Sequence, residues 1–232
     1  MTSKAMIDKA IIFDSSTIIN FTINGLLDEF RDLKKMFGGR FLITNEIKEE
    51  IINKPLNIKR YKLEALKIKQ LLDEKIIETP YELGIDAKAI SKMTENIIHT
   101  ANNTFFSHEN PIQIVHLGEA SCMALSAILN EQKIDNVVAA DERTIRMLGE
   151  KPENLADLLQ KKLHTGIKDN KENFKFFKGF RFIRSTELIY VAYKKGIVTL
   201  GNHDALDALL YALKFNGCSI SDEEISEIEK IG

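Results

Sequence analysis

The sequence predicts an α/β protein, three layers deep, in which a central parallel sheet carries helices on both faces. Three observations predict it. The apolar runs Ala10–Phe13 and Val137–Ala140 lack the polar alternation of a half-exposed strand, so they read as strands buried on both sides. Each is followed by residues that start helices and by segments of helical period, the succession that builds parallel sheets. Both runs also end on an acid, Asp14 and Asp141, and ligands of open α/β sheets bind just outside the carboxyl ends of the strands.

Composition sets the frame. At 232 residues, 44% hydrophobic and 28% charged, the chain has enough apolar material for one generous domain spanning 1–232. The formal charge of −2 gives no global positive field, so a nucleic-acid partner requires a local basic patch. Cys122 and Cys218 lie far apart in apolar or small-residue surroundings. That excludes a disulfide scaffold or a zinc knuckle and fits buried thiols in a reducing compartment. MTSKAMIDKA has no leader-like apolar core, and no run approaches membrane-spanning length. A cytoplasmic protein without a membrane partner is expected.

Along the chain, Asp14 and Ser15-Ser16-Thr17 open a helical stretch to Phe30, broken at Gly25. Phe41-Leu42-Ile43 is a second strand after Gly38-Gly39, and Thr44 opens a helix stopped by Pro55. On that helix Glu46 and Glu50 stand four apart, which predicts a shared face. Tyr61–Glu74 is a solvated helix, Ile76-Ile77 a third strand, and Asp86–Asn103 a further helix. The region of about 83–114 loses its pattern and reads as a helical insertion or lid. Leu117–Ile128 is small or apolar almost all round, hence a buried helix, with Glu119 its lone charge. The segment from His164 to Ser185 sets Lys175, Lys178 and Arg181 among phenylalanines. Such a pattern can hold phosphates and stack on bases, although simple alternation makes an ordinary strand of Phe180–Ile183. A C-terminal extension, about 165–232, ends in helices, the last opened by the capping-box-like SDEE.

The acids define the chemistry. Asp14 and Asp141 at strand ends, with Glu119 and Glu46 or Glu50 on helices, are predicted to converge. Clustered carboxylates repel one another unless a cation joins them. An all-oxygen set without neighbouring Cys or His favours Mg²⁺ or Mn²⁺ over zinc. Helix capping alone is the alternative role for Asp14 and for Glu119. Asp204 and Asp207 read as acids at a helix start. A haloacid-dehalogenase-type phosphatase would need a second Asp two residues after the first, where this chain has Ser16.

Four segments in order resemble the PIN-domain family of VapC-type toxins and RNA-processing endonucleases: FDSS at Phe13–Ser16, EIKEEI at Glu46–Ile51, GEASCMAL at Gly118–Leu125 and VAADERTIR at Val138–Arg146. The tail from Thr186 onward is similar to the end of an archaeal and bacterial subgroup of that family. The resemblance implies a PIN-like three-layer fold and a metal-dependent endoribonuclease hydrolysing RNA phosphodiester bonds. It implies Asp14, Glu50, Glu119 and Asp141 as ligands of Mg²⁺ or Mn²⁺, with Glu46 the substitute second acid, and Ser16 steadying the site. Arg143, Arg146, Lys175, Lys178 and Arg181 would then hold the RNA backbone. An antitoxin or other protein partner and a homodimer are further implications. The competing expectation is a PIN-like module that binds RNA or protein with little cleavage.

Overall fold

A computed structural model describes residues 8–200 and 204–231; residues 1–7, read above for a leader, and residues 201–203 of the C-terminal extension lie outside the described residues. In chain order the strands are β1 (Lys9–Phe13), β2 (Arg40–Leu42), β3 (Phe105–Ser107), β4 (Asn110–Pro111), β5 (Asp135–Ala139), β6 (Ile167–Asp169) and β7 (Phe182–Ile183). Four of them form the central sheet in the order β2-β1-β5-β7, every pair parallel. From β1 the chain goes to β2 on one side and returns to β5 on the other, so the order reverses between β1 and β5. A crevice opens at such a switch point, beyond the carboxyl ends of the strands. At this seam the Asp14 N–H donates to the Ala139 carbonyl at 2.9 Å.

Helices flank the sheet. The predicted break at Gly25, whose φ of +72° suits glycine, separates α1 (Ser15–Ile23) from α2 (Leu27–Phe37). These pack with α9 (Ser185–Lys194) as one helical layer. Helix α6 (Leu117–Glu131) lies against β1 and β5, joined by α3 (Asn45–Lys48) and α5 (Ala87–Asn102). Phe13, Phe21, Phe30 and Phe41 are all buried. They interlock as tilted and edge-on pairs, with ring centroids 4.8 Å apart for Phe13–Phe41 and 5.3 Å for Phe21–Phe30. Their burial favours one well-ordered arrangement of β1, β2, α1 and α2.

Several expectations change. Ile76–Ile77 forms no strand: the chain touches the sheet edge only at Glu78, which bridges Leu42 in parallel. Pro80 then supplies no N–H to continue the ladder. The basic and aromatic segment is a 3₁₀ turn over Lys171–Phe177 with Phe177 buried, and the strand is only the two-residue β7, with both residues half-buried. The 83–114 region contains α5, which packs along α6 and contributes Ile90, Ile97 and Ala101 to the core. It continues into a β3–β4 hairpin that pairs with β6, an antiparallel sheet in the order β4-β3-β6. The region is thus integral to the packing, and its last residues border the crevice. The final capping box forms as expected: Ser221 Oγ accepts from Glu224 N, and the Glu224 carboxylate accepts from Ser221 N. No helix among the described residues is long and apolar enough to cross a membrane.

Candidate active site

The crevice at the β1/β5 switch point is a cavity of about 470 Å³ walled by Asp14, Glu50, Glu119 and Glu142. Each comes from a different element.

Asp14 follows β1 and caps α1: its Oδ2 accepts from Ser16 N at 3.1 Å and from Ser16 Oγ at 2.5 Å. It is 3% exposed. Burial pushes its carboxyl above the ordinary range, Ser16 pulls the other way, and the charge of Glu50 adds to the rise. Ser16 also accepts from Asp141 N at 3.2 Å, so one hydroxyl ties the ends of β1 and β5 together.

Glu50 lies beyond α3, in a π-helical turn over Glu49–Asn53. Its Oε1 accepts from Ser15 Oγ at 3.1 Å. A methyl group on Gly118 would come within 2.8 Å of Glu50 Oε2, so the missing side chain there lets the carboxylate approach α6. Thr44, the side-chain cap of α3, meets Ser121 of α6 at 2.6 Å and fixes these two elements against each other. The π turn also separates the two candidate glutamates. Residues four apart share a face only while the backbone stays α-helical. Glu46 instead lines a small pocket with Pro80 and Tyr81.

Glu119 stands in the first turn of α6 and accepts from His116 N at 2.8 Å, so it caps its helix and faces the cavity at once. Burial first, then the charges of Asp14, Glu142 and Glu50, push its carboxyl up to about 7. That value reports a crowded, partly dry set of acids.

Asp141 does not reach this wall. It is fully buried, and its carboxylate accepts from Ser185 N at 2.7 Å, Ser185 Oγ at 2.7 Å and Asn20 Nδ2 at 2.9 Å. It braces α1 against α9 with its oxygens already engaged. Its neighbour Glu142, at the start of α7 (Arg143–Glu150), takes the wall position and accepts from Thr144 Oγ1 at 2.9 Å. The sequence signal for Glu142 is the second acid of the pair after β5, of which the strand-ending Asp141 is the one that position nominates. Lys162, near the end of α8 (Pro152–Leu163), and His116 also border the cavity and had not been singled out.

The basic candidates are dispersed. Arg143 and Arg146 line a separate cleft. Lys175 pairs with Glu172 at 3.0 Å on the surface, and Lys178 is exposed. Arg181 pairs with Asp135, at the amino end of β5 and away from the acids, because Arg181 precedes a strand parallel to β5. Both cysteines are buried free thiols pushed upward by burial, Cys218 to about 11 and Cys122 well above the ordinary thiol range. They are chemically quiet.

Among the described residues no group of three or more His, Cys, Asp or Glu side chains is arranged to hold a metal ion. The four carboxylates face one space without closing into a cage. Their donor chemistry, oxygen only and short of counter-charge, fits a hard divalent cation. Comparison with protein-family models, with curated proteins and with solved structures finds no match to this chain.

Proposed function

We propose that the chain is a PIN-like, metal-dependent endoribonuclease acting at this cavity. The observation that carries the reading is the convergence of Asp14, Glu50, Glu119 and Glu142 at the β1/β5 switch point, with Lys162 the one Lys or Arg on the wall among the described residues. Such crowding raises Asp14 and Glu119 toward their protonated forms, and a bound cation relieves it. RNA as the substrate rests on the resemblance of the four motifs.

Asp14, Glu50, Glu119 and Glu142 would hold Mg²⁺ or Mn²⁺, which when bound supplies Lewis-acid activation of water and stabilises charge on a phosphoryl group. The remaining roles fall to the chain itself. Ser16 fixes the orientation of Asp14, and Ser15 does the same for Glu50. Glu119 can hold or release a proton near neutrality. Asp141 positions the end of β5 without touching the cavity.

Labelled single-stranded RNA incubated with Mn²⁺, Mg²⁺ or EDTA tests this. Cleavage should require the metal and fall by more than about 100-fold in Asp14→Asn. Equal cutting by that variant sinks the proposal. The second reading, a binding module, draws on the carboxylates facing the cavity without closing into a three-ligand group. Calorimetry separates the two, since a module of that kind gives no divalent-specific heat.

A further inference from the structure

We propose a second site, for a phosphate-type anion, in the polar cleft of about 340 Å³ between α7, the start of α8 and the chain around Ser219. Arg143, Arg146, Lys151 and Asn154 supply its donors.

Three observations converge on an anion. First, none of Arg143, Arg146 and Lys151 has an ion-pair partner among the described residues, unlike Arg184 next to them, which pairs with Glu187 and with Glu224 at 2.8 Å. Glu224 also borders the cleft, but its carboxylate is engaged by Arg184 and by Ser221 N. Glu150, the other acid of the cleft, is exposed. Second, Arg146 donates through Nη2 to the Ser219 carbonyl at 3.0 Å, while its Nε is buried without any hydrogen-bond partner. That Nε is closed to solvent and so to a ligand in the cleft; the unbonded Nη donors of Arg146 are the ones that can meet a phosphate as a fork. Burial, and then Arg184, lower the affinity of Arg146 for its proton, and the charges of Glu187 and Glu150 offset this only in part. Third, the cleft lies at the amino end of α8, where Lys151 precedes Pro152 and Asn154 stands in the first turn, so the helix dipole adds positive potential there.

The site is separate from the carboxylate cavity, and anion binding there needs neither the acids nor a metal. A backbone phosphate of a nucleic acid and a free phosphate share the chemistry. Helix α7 connects the two places: Glu142 precedes it on the acid wall, and Arg146 lies about 6 Å further along the axis.

The test titrates inorganic phosphate into the full chain in EDTA, read by calorimetry and by the thermal unfolding midpoint. One saturable site is expected, weakened at least tenfold in the Arg143→Gln/Lys151→Gln double variant. Both of those side chains are exposed, so the variant should fold, which its unfolding without phosphate verifies. Arg146→Lys, which keeps the charge and loses the fork, should also weaken binding. In a second arm, an unlabelled oligoribonucleotide is titrated in EDTA. If the double variant loses affinity for it as well, with the salt slope shallower by about 1.4, the phosphate belongs to an RNA backbone. If only phosphate binding is lost, the ligand is a free phosphate. No saturable phosphate binding, or equal binding by the double variant, overturns the proposal.

Discussion

The ends of β1 and β5 present two aspartates in nearly equivalent places, and their environments are opposite. Asp14 and Asp141 both lie just past a central parallel strand, both are buried, and both are joined to the hydroxyl of Ser16. Asp14 is hydrogen-bonded by the next two residues, borders the cavity and is pushed toward its protonated form by burial. Asp141 receives three donors from α1 and α9 and does not line this cavity. Position after a strand therefore nominates an acid, whereas its donors decide what it does. Donors from its own helix turn leave Asp14 facing the cavity, whereas donors from two helices saturate Asp141 as a brace.

The largest expected effect would break this contrast if it failed. Asp141→Ala strands the Ser185 N–H, the Ser185 hydroxyl and the Asn20 amide, and should cost about 3–5 kcal/mol of stability in urea unfolding. Asp14→Asn should change stability by less than about 1 kcal/mol, since it exchanges a destabilised carboxylate for a neutral isostere. Equal losses for the two variants would show that both acids are structural.

Next in size is a pH effect. The Glu119 carboxyl titrates near 7 in the folded protein against an ordinary 4.5. Its contribution to stability is therefore fully present below the ordinary value and is lost as pH rises through about 7. Metal-free protein should be more stable at pH 5 than at pH 8 by roughly 1–3 kcal/mol, the lower part of that range if water screens the half-buried group. Mn²⁺ should reverse the trend, because it competes with protons for the same oxygens. Unfolding midpoints at both pH values, with and without Mn²⁺, measure it; a pH-independent midpoint in EDTA would remove the argument from crowded acids.

How much of this could be read from the sequence follows from the range of the forces involved. The apolar runs at Ala10–Phe13 and Val137–Ala140 announce buried parallel strands because burial on both faces is written in consecutive residues. Asp14 and Glu119 stand out for the same local reason, whereas Glu50 ahead of Glu46 comes from the family resemblance alone. That Glu142 and not Asp141 faces the cavity is not legible: it depends on Asn20 and Ser185, 121 and 44 residues from Asp141 in sequence. Glu46 and Glu50 could not be separated either, since a π turn leaves no periodic signature. The β4-β3-β6 sheet escaped notice because strands of two or three residues are too short to show alternation.

The smallest effect sharpens the comparison most, because it acts on the one hydroxyl that both aspartates share. Ser16 Oγ donates to Asp14 and accepts from Asp141 N. Ser16→Ala removes both bonds, and because Ser16 itself is half-buried it should cost about 1 kcal/mol of stability. Its more telling consequence is on protonation. The Ser16 hydroxyl is the largest influence holding the Asp14 carboxyl down against burial. Without it Asp14 keeps its proton to higher pH, so Mn²⁺ must compete harder and the pH of half-maximal binding should move upward. An Asp14 site that ignores Ser16 would leave that pH unchanged while stability alone fell. The two ends would then be joined by packing, and the serine would carry no electrostatic message between them.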